Sequence, residues 1–215
     1  MSKPSKTNNA ARKLARADAE IVEAAAAHKD SAPLRMMAYA SKVGDQPPLR
    51  AISAAAIVVG LVGSNRRLLR AGVRMIVAHE VATALKDVIK RRVDRTRPRS
   101  AESHRQRKIK PGEGTSKEVT SFPSGHSAGS LAVARAFSRE FPDHAVPALG
   151  AASAVGAAQV PRYSHYATDV LAGFLVGLVA EAATDVVWRA LLPDDAEHEL
   201  PNDLAALPDA ALVAS

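Results

Sequence analysis

The 215-residue chain contains no cysteine, which excludes disulfides, thiolate metal sites and cysteine nucleophiles. Aromatic residues are scarce, at 4% of the chain, although 47% of its residues are hydrophobic. No segment shows the apolar/polar alternation of a half-buried strand. Ala, Val, Leu and Gly supply most of the apolar residues, which favours helices packed through small side chains. We therefore predict one all-α domain, a bundle of about five to seven helices.

Long apolar runs are also lacking. No run reaches the roughly 18 uninterrupted apolar residues of a confident membrane span, and the mean hydropathy is −0.07. Three stretches nevertheless carry no charge, namely 51–63, 145–161 and 170–180. The polar amino end has no apolar segment typical of a cleavable signal peptide. Hydropathy alone leaves a membrane protein and a soluble protein equally open.

Charge is present but unevenly distributed. The net charge is +7, which implies an anionic partner such as phosphate, nucleic acid or a lipid surface. Residues 90–117 hold 11 Lys or Arg against three acids, whereas residues 193–215 hold six acids and no Lys or Arg. We expect a flexible basic tail at 1–17, a helical domain at 18–192 and an acidic tail at 193–215.

Apolar periodicity and helix breakers place the helices of this domain. Two short helices are predicted within 18–43, separated near Ser31–Pro33, and an apolar segment follows at 51–63. A Pro/Gly/Ser-rich basic loop is predicted at 91–122. Further helices are predicted at 68–90, 124–141, 145–160 and 166–192.

The first segment that carries chemistry is Lys90 followed seven residues later by Arg97 and Pro98. Because Pro98 disfavours helical geometry at Arg97, the helix that carries Lys90 should end nearby and direct both cations toward the following loop. Arg offers a planar fork to two phosphate oxygens and Lys a point charge. Taken alone, the segment is also compatible with a solvated basic run or a nucleic-acid patch.

The second segment is Pro123-Ser124-Gly125-His126, which precedes an Ala/Gly/Ser-rich helix. Ser124 suits the N-cap position, and Gly125 lets an oxyanion approach free backbone amides at the helix start. A histidine at this place can give a proton to a leaving oxygen near neutral pH. A capped helix with a solvated histidine is the simpler alternative.

The third segment runs from His165 to Asp169 and continues with Gly173 and Gly177. If a helix begins by His165, the spacing of four residues places the imidazole and the carboxylate on one face. The carboxylate would fix the tautomer and leave the other ring nitrogen nucleophilic. Gly173 and Gly177 would let another helix approach that face closely.

Together these segments resemble the signature of the type-2 phosphatidic-acid phosphatase superfamily: KxxxxxxRP, then PSGH, then SRxxxxxHxxxD. Lys90, Arg97 and Pro98 match the first part, Pro123–His126 match the second, and His165 and Asp169 match the third. The resemblance implies a phosphatase that needs no metal and no cofactor. It also implies the roles of the individual residues: His165 as nucleophile, Asp169 as its orienting carboxylate, His126 as general acid, and Lys90, Arg97, Ser124 and the Gly125 amide as phosphate ligands.

One position departs from the signature. The Ser-Arg pair that precedes the nucleophilic histidine is replaced by Ala158 and Gln159, whereas Arg162 lies three residues before His165. We hypothesise that Arg162 supplies the missing phosphate contact. A weakened or degenerate site is the alternative.

The resemblance implies a multi-pass protein of a bacterial inner membrane whose partners are membrane lipids and a lipid phosphate, with no nucleic acid. Phosphatidate, phosphatidylglycerophosphate and isoprenoid diphosphates are all compatible with the sequence, and the side of the membrane that holds the site stays open. The alternatives are a soluble acid phosphatase with the same site, a vanadate-dependent haloperoxidase, and a basic protein that binds nucleic acid or anionic lipid without catalysis.

Overall fold

The computed structural model describes residues 6–27, 30–101 and 109–192. Helices account for most of this part of the chain, as predicted. Two-residue strands β1 (Val93–Asp94) and β2 (Lys110–Pro111) pair antiparallel in the basic loop, and they are too short to show alternation in the sequence. The helices are α1 (Lys6–Ala26), α2 (Ala32–Ala40), α3 (Gln46–Val62), α4 (Arg66–Lys90), α5 (Gly125–Glu140), α6 (Ala145–Ala157) and α7 (Ala167–Leu191).

The amino-terminal region differs from the expected tail. Helix α1 begins at Lys6, so most of the segment 1–17 is helical, because residues 6–17 are rich in the good helix formers Ala, Lys, Arg and Leu. The predicted break near Ser31–Pro33 is confirmed, since α2 begins at Ala32. Residues 1–5 and the acidic tail 193–215 lie outside the described residues.

The centre of the bundle is formed by α4, α5 and α7, which contact one another along their lengths. Helix α3 packs on α4, and α6 packs on α5. Most of the core side chains are small, so the helix axes can approach closely. The buried cluster consists of Leu49, Ala71, Met75, Ala78, Ala82, Ala128, Ala132, Val133, Ala136 and Ala180.

Two glycines set the distance between α5 and α7. A Cβ atom on Gly173 would lie 2.4 Å from the Ser124 carbonyl oxygen, and one on Gly177 would lie 2.4 Å from the Ala128 carbonyl oxygen. A larger side chain at either position would therefore push the helices apart. The structure confirms the close approach predicted from this glycine pair, and it holds the start of α7 against the start of α5.

Charged side chains are paired at the end of the bundle where α4 begins and α5 and α7 end. Glu140 of α5 and Asp185 of α7 both contact Arg74 of α4, at 3.0 and 2.9 Å. Glu181 accepts from Arg139 at 2.7 Å and from Arg135 at 2.9 Å. These buried carboxylates are thus neutralised by arginines, so the ionic cluster joins the three central helices.

Large apolar side chains are exposed along α3 and α7. Val58 and Val62 on α3 are solvent-accessible, as are Leu175 and Val186 on α7. Within the described residues, α7 is long and apolar enough to cross a membrane by length and composition, whereas the apolar helix α3 has 17 residues. These two faces are the parts of the bundle best suited to contact a lipid phase.

Candidate active site

A cationic cavity opens at the opposite end of the bundle, where α4 ends and α5 begins. Its volume is about 420 Å³. The basic loop after α4 and the segment before α7 complete its wall. The lining residues are Gly44, Asp45, Gln46, Lys86, Lys90, Arg97, Arg99, Lys117, Thr120, Gly125, His126, Gln159, Arg162, Ser164 and His165.

All three motifs contribute to this cavity. Two of the predicted site residues, Ser124 and Asp169, have no exposed surface and lie behind the cavity wall. The predicted residues that line the cavity are Lys90, Arg97, Gly125, His126, Arg162 and His165. Residues as far apart as Lys90 and His165 therefore converge on a volume large enough for a phosphate group.

The two ring nitrogens of His165 have different neighbours. Nε2 lies 3.1 Å from NH1 of Arg97. Nδ1 lies 3.6 Å from Oδ2 of Asp169, slightly beyond hydrogen-bond distance, and has no closer polar partner among the described residues. Because a guanidinium can only donate, Nε2 is the acceptor and the proton belongs on Nδ1, which faces the carboxylate. This tautomer makes Nε2 the nucleophilic nitrogen.

His165 and Asp169 do not form the helical pair that a helix beginning by His165 would give. Helix α7 begins at Ala167, so His165 precedes the helix and the helical spacing of four residues does not explain its contact with Asp169. Asp169 lies in the first turn, where its Oδ2 accepts a hydrogen bond from the Tyr166 backbone amide at 3.0 Å. This fold-back toward the helix start, typical of an acidic residue at that position, brings the carboxylate next to the imidazole.

The electrostatic surroundings favour a neutral His165. Burial lowers the pKa of its imidazole from 6.5 to about 4, and the positive charges of Arg97 and Lys90 act in the same direction, against the opposing effect of Asp169. Burial and the neighbouring Arg99 also lower the pKa of the Arg97 guanidinium, which stays charged at any physiological pH. The imidazole is therefore unprotonated at neutral pH, as a nucleophile must be.

Backbone carbonyls hold the two cations of the first motif. The Lys90 ammonium donates to the Thr120 carbonyl. Nε of Arg97 donates to the Lys117 carbonyl at 2.6 Å, and NH1 donates to the Ser164 carbonyl at 3.1 Å. These carbonyls hold both cations at the cavity wall, where their charge faces a bound anion.

The second motif forms the start of α5. Ser124 is the N-cap, and its Oγ accepts from the Ser127 amide at 3.4 Å and from the Ser127 hydroxyl at 2.9 Å. Ser124 therefore caps the helix from a buried position instead of presenting its hydroxyl to the cavity. The Lys86 side chain lies across Gly125, 3.2 Å from where a Cβ would be. The helix start and its free amides border the cavity at Gly125.

Arg162 lines the cavity beside Gln159, the residue that occupies the motif's arginine position. Gln159 is buried, and its side-chain amide donates to the Val155 carbonyl at 3.0 Å. NH1 of Arg162 donates to the Ser41 hydroxyl at 2.9 Å. Arg162 is therefore near enough to serve the cavity, and it also connects this wall to the turn before α3.

The sequence did not predict the ion pair of Arg95 with Asp18, which supports Asp169 on the side away from the cavity. Arg95 NH1 donates to Asp169 Oδ1 at 2.6 Å, and NH2 donates to Asp18 Oδ2 of α1 at 2.6 Å. Asp18 Oδ1 also accepts from the Thr168 amide at 3.1 Å. Arg95 belongs to the same basic run as Arg97, and no spacing in the sequence distinguishes it from the other cations of that run.

The bundle and the cavity together define a helical protein with an anion site that contains two histidines. Among the described residues, no group of three or more His, Asp or Glu is placed to hold a metal ion. The sequence profile of the PAP2 superfamily matches residues 68–191, which is more than half of the chain and includes all three motifs. The chain belongs to the PAP2 superfamily.

Two relatives extend this result. A lipid A 1-phosphatase of Rhizobium johnstonii is 33% identical over 104 residues, which cover 48% of this chain and 42% of that protein. The match therefore spans less than half the length of this curated relative. A transmembrane PAP2-type phosphatidylglycerolphosphate phosphatase from Bacillus subtilis has a similar crystal structure, with a TM-score of 0.59 at 22% identity over 83% of this chain and 87% of the other. At this identity the second comparison supports the fold.

Proposed function

We propose that this chain is a phosphatase that releases phosphate from a membrane lipid through a phosphohistidine, without a metal ion. The observation that carries the proposal is the contact between Arg97 NH1 and His165 Nε2, 3.1 Å apart, in a cavity that also holds Lys90 and His126. A phosphoryl group bound there would lie between a nucleophilic nitrogen and positively charged donors.

In the first step, Nε2 of His165 attacks phosphorus while the bond from phosphorus to the lipid oxygen breaks. His126 gives its proton to that leaving oxygen. Asp169 stabilises the positive charge that develops on the His165 ring, and Arg97, Lys90 and the Gly125 amide bind the other phosphate oxygens. The products of this step are the dephosphorylated lipid and a phosphohistidine.

In the second step, water attacks phosphorus and the bond between phosphorus and His165 Nε2 breaks. His126, neutral after the first step, accepts the proton from the water. Inorganic phosphate is released and both histidines return to their starting states. The lysines and arginines at the cavity wall would supply the charge neutralisation that metal ions supply in many other phosphoryl-transfer enzymes.

An apolar groove beside the cationic cavity supports a lipid substrate. The groove has a volume of about 330 Å³ and shares Gly44 with the cavity. Its walls come from α3, α5 and α6 and are almost wholly aliphatic or aromatic. The side chains involved include Leu49, Ile52, Val133, Phe137 and Val155. A phosphate in the cavity would therefore leave its apolar tail next to a surface that excludes water.

The exposed apolar faces of α3 and α7 support a place in the membrane. We propose that they face the bilayer of a bacterial inner membrane in a multi-pass arrangement. Both relatives described above are bacterial proteins, and the names of both include a lipid phosphate as substrate. Sedimentation of the protein with membranes, and its release only by detergent, is the expected behaviour.

The experiment measures phosphate release from phosphatidate, phosphatidylglycerophosphate and an isoprenoid diphosphate, with EDTA present, for wild type and His165→Ala. We expect the wild type to hydrolyse at least one of these lipids and the variant to hydrolyse none. Activity that survives the substitution would exclude the proposed nucleophile, and activity lost to EDTA would exclude the metal-free scheme. Recovery in the soluble fraction would favour a soluble acid phosphatase instead.

A further inference from the structure

His126 contacts a carboxylate that belongs to none of the three motifs. Oδ1 of Asp45 lies 2.9 Å from Nε2 of His126. Asp45 precedes α3 directly and lines the same cavity as His126 and His165. Its position is 23 residues before the segment that matches the family profile, which begins at residue 68. The histidine placed to act as general acid therefore has a carboxylate of its own.

The turn that carries Asp45 is held against the cavity by two contacts. A Cβ on Gly44 would lie 2.3 Å from Val155 Cγ1 and 3.4 Å from His126 Cδ2, so the turn comes this close because residue 44 has no side chain. Three residues earlier, the buried Ser41 hydroxyl accepts from Arg162 NH1 at 2.9 Å. These two contacts hold the turn in place and so keep Asp45 close to His126.

The charges around His126 explain what a carboxylate does there. Burial lowers the pKa of the His126 imidazole, and the positive charges of Arg162 and Arg97 act in the same direction, against the opposing effect of Asp45. These effects disfavour a positive charge on the ring, yet a general acid must carry its proton until the leaving oxygen takes it. Asp45 is the negative charge that opposes them at short range.

We propose that Asp45 is a positioning residue for the general acid: it orients the His126 ring through Nε2 and stabilises the protonated ring until proton transfer. The contact is close but poorly aligned for a hydrogen bond, and Nε2 has no aligned acceptor among the described residues. The contact is therefore mainly electrostatic. With Nε2 held by Asp45, Nδ1 is the nitrogen left to give its proton to the leaving oxygen and to take one back from water. This inference rests on the phosphatase function proposed above.

The test compares two lipid-like substrates with the same tail, hexadecyl phosphate and S-hexadecyl phosphorothiolate. The alkoxide that leaves from the first needs a proton, whereas the thiolate that leaves from the second does not. We expect Asp45→Asn to lower kcat/KM about 10- to 100-fold on the oxygen ester and much less on the sulfur ester. Asp45→Glu, which keeps the charge, should recover part of the loss.

The controls separate this role from a structural one. Asn and Ser are good N-caps like Asp, so Asp45→Asn and Asp45→Ser should both keep the start of α3 and the thermal stability. Asp143→Asn removes an exposed carboxylate beyond α5 and should change neither substrate's rate. Equal slowing of both esters by Asp45→Asn and Asp45→Ser, or no slowing, would overturn the role of Asp45. Wild-type protein that hydrolyses neither ester would overturn the phosphatase proposal itself.

Discussion

Arg97 and His165 are in direct contact, with NH1 of the guanidinium 3.1 Å from Nε2 of the imidazole. The donor thus occupies the direction from which phosphorus would approach the nucleophile. Nε of the same guanidinium donates to the Lys117 carbonyl. This bond can keep the group at the wall when NH1 exchanges the Ser164 carbonyl for a phosphate oxygen. The nucleophile and its main cation are positioned together.

The first prediction concerns the shape of the Arg97 side chain. Arg97→Lys keeps the charge but loses the planar fork that contacts a carbonyl, the imidazole and a phosphate at once. We expect kcat/KM for lipid phosphate to fall about 10²-fold, the usual effect of losing one donor to a developing anion. Arg91→Lys, at an exposed position in the same basic loop, should leave the rate unchanged. Equal rates for Arg97→Lys and wild type would contradict the proposed clamp.

The second prediction concerns the protonation of His165. Because burial lowers the pKa of its imidazole from 6.5 to about 4, the ring should remain neutral down to that pH and lose its nucleophilicity only below it. The unfolded chain binds this proton at higher pH than the folded chain, so the contribution to stability should fall as the pH drops from 6.5 toward 4. NMR titration of histidine-labelled protein, with the signal assigned by His165→Asn, measures the pKa directly. A midpoint at 6.5 would contradict the burial argument.

The third prediction concerns Arg162. If Arg162 binds phosphate in place of an arginine at position 159, Arg162→Ala should lower kcat/KM about 10- to 100-fold. Ser41→Ala removes the acceptor of the Arg162 hydrogen bond but keeps the charge, and it should have a much smaller effect. A loss of equal size in Ser41→Ala would assign Arg162 a structural role, and unchanged turnover in Arg162→Ala would reject the hypothesis.

The fourth prediction concerns the contact between α5 and α7. A Cβ on Gly173 would lie 2.4 Å from the Ser124 carbonyl, so Gly173→Ala should destabilise the protein by about 1–3 kcal/mol and move the second motif away from the cavity. Gly150 of α6 has no atom within 4 Å of its Cβ position, so Gly150→Ala should be neutral or stabilising by up to about 1 kcal/mol. Thermal unfolding of both variants checks this, and equal effects would contradict it.

The fifth prediction concerns the contact between α1 and the site. Asp18 and Arg95 are each 2% exposed, and removal of one partner of a buried ion pair typically costs about 3–5 kcal/mol. Asp18→Asn keeps some of the hydrogen bonds, so we expect a loss at the lower end of that range together with lower activity. Glu20→Gln, on the exposed face of α1, is the matched control. Full activity and stability in Asp18→Asn would show that this pair does not support Asp169.

The parts of the site that could be predicted are those set by local sequence. Pro98 and Ser124 constrain the nearby backbone, so the end of α4 and the start of α5 lie close to their predicted positions, and the glycines after Asp169 allow the predicted close approach of α5 and α7. The roles of the individual residues were predicted from the resemblance of the three motifs to the family signature, which also implied that Lys90, His126 and His165 converge. The structure places all three at one cavity.

The parts that could not be predicted depend on contacts between distant segments. Arg95 and Asp18 are 77 positions apart, and no local pattern joins a charged residue of an amino-terminal helix to one in a basic loop. The same holds for Asp45 and His126. The contact between His165 and Asp169 arises in another way than the i,i+4 pattern suggested: α7 begins at Ala167, next to its predicted start at residue 166, and Asp169 turns back to the Tyr166 amide.

The ion pair between Arg95 and Asp18 also determines which fragments of the chain would keep the site intact. A recombinant fragment trimmed to residues 68–191, where the family profile matches, would keep every motif residue. It would also bury Arg95 without the carboxylate that α1 supplies and would lack the turn that touches His126. We therefore expect the smallest functional fragment to start upstream of Asp18, and we expect deletion of α1 to weaken the support of Asp169 beside His165.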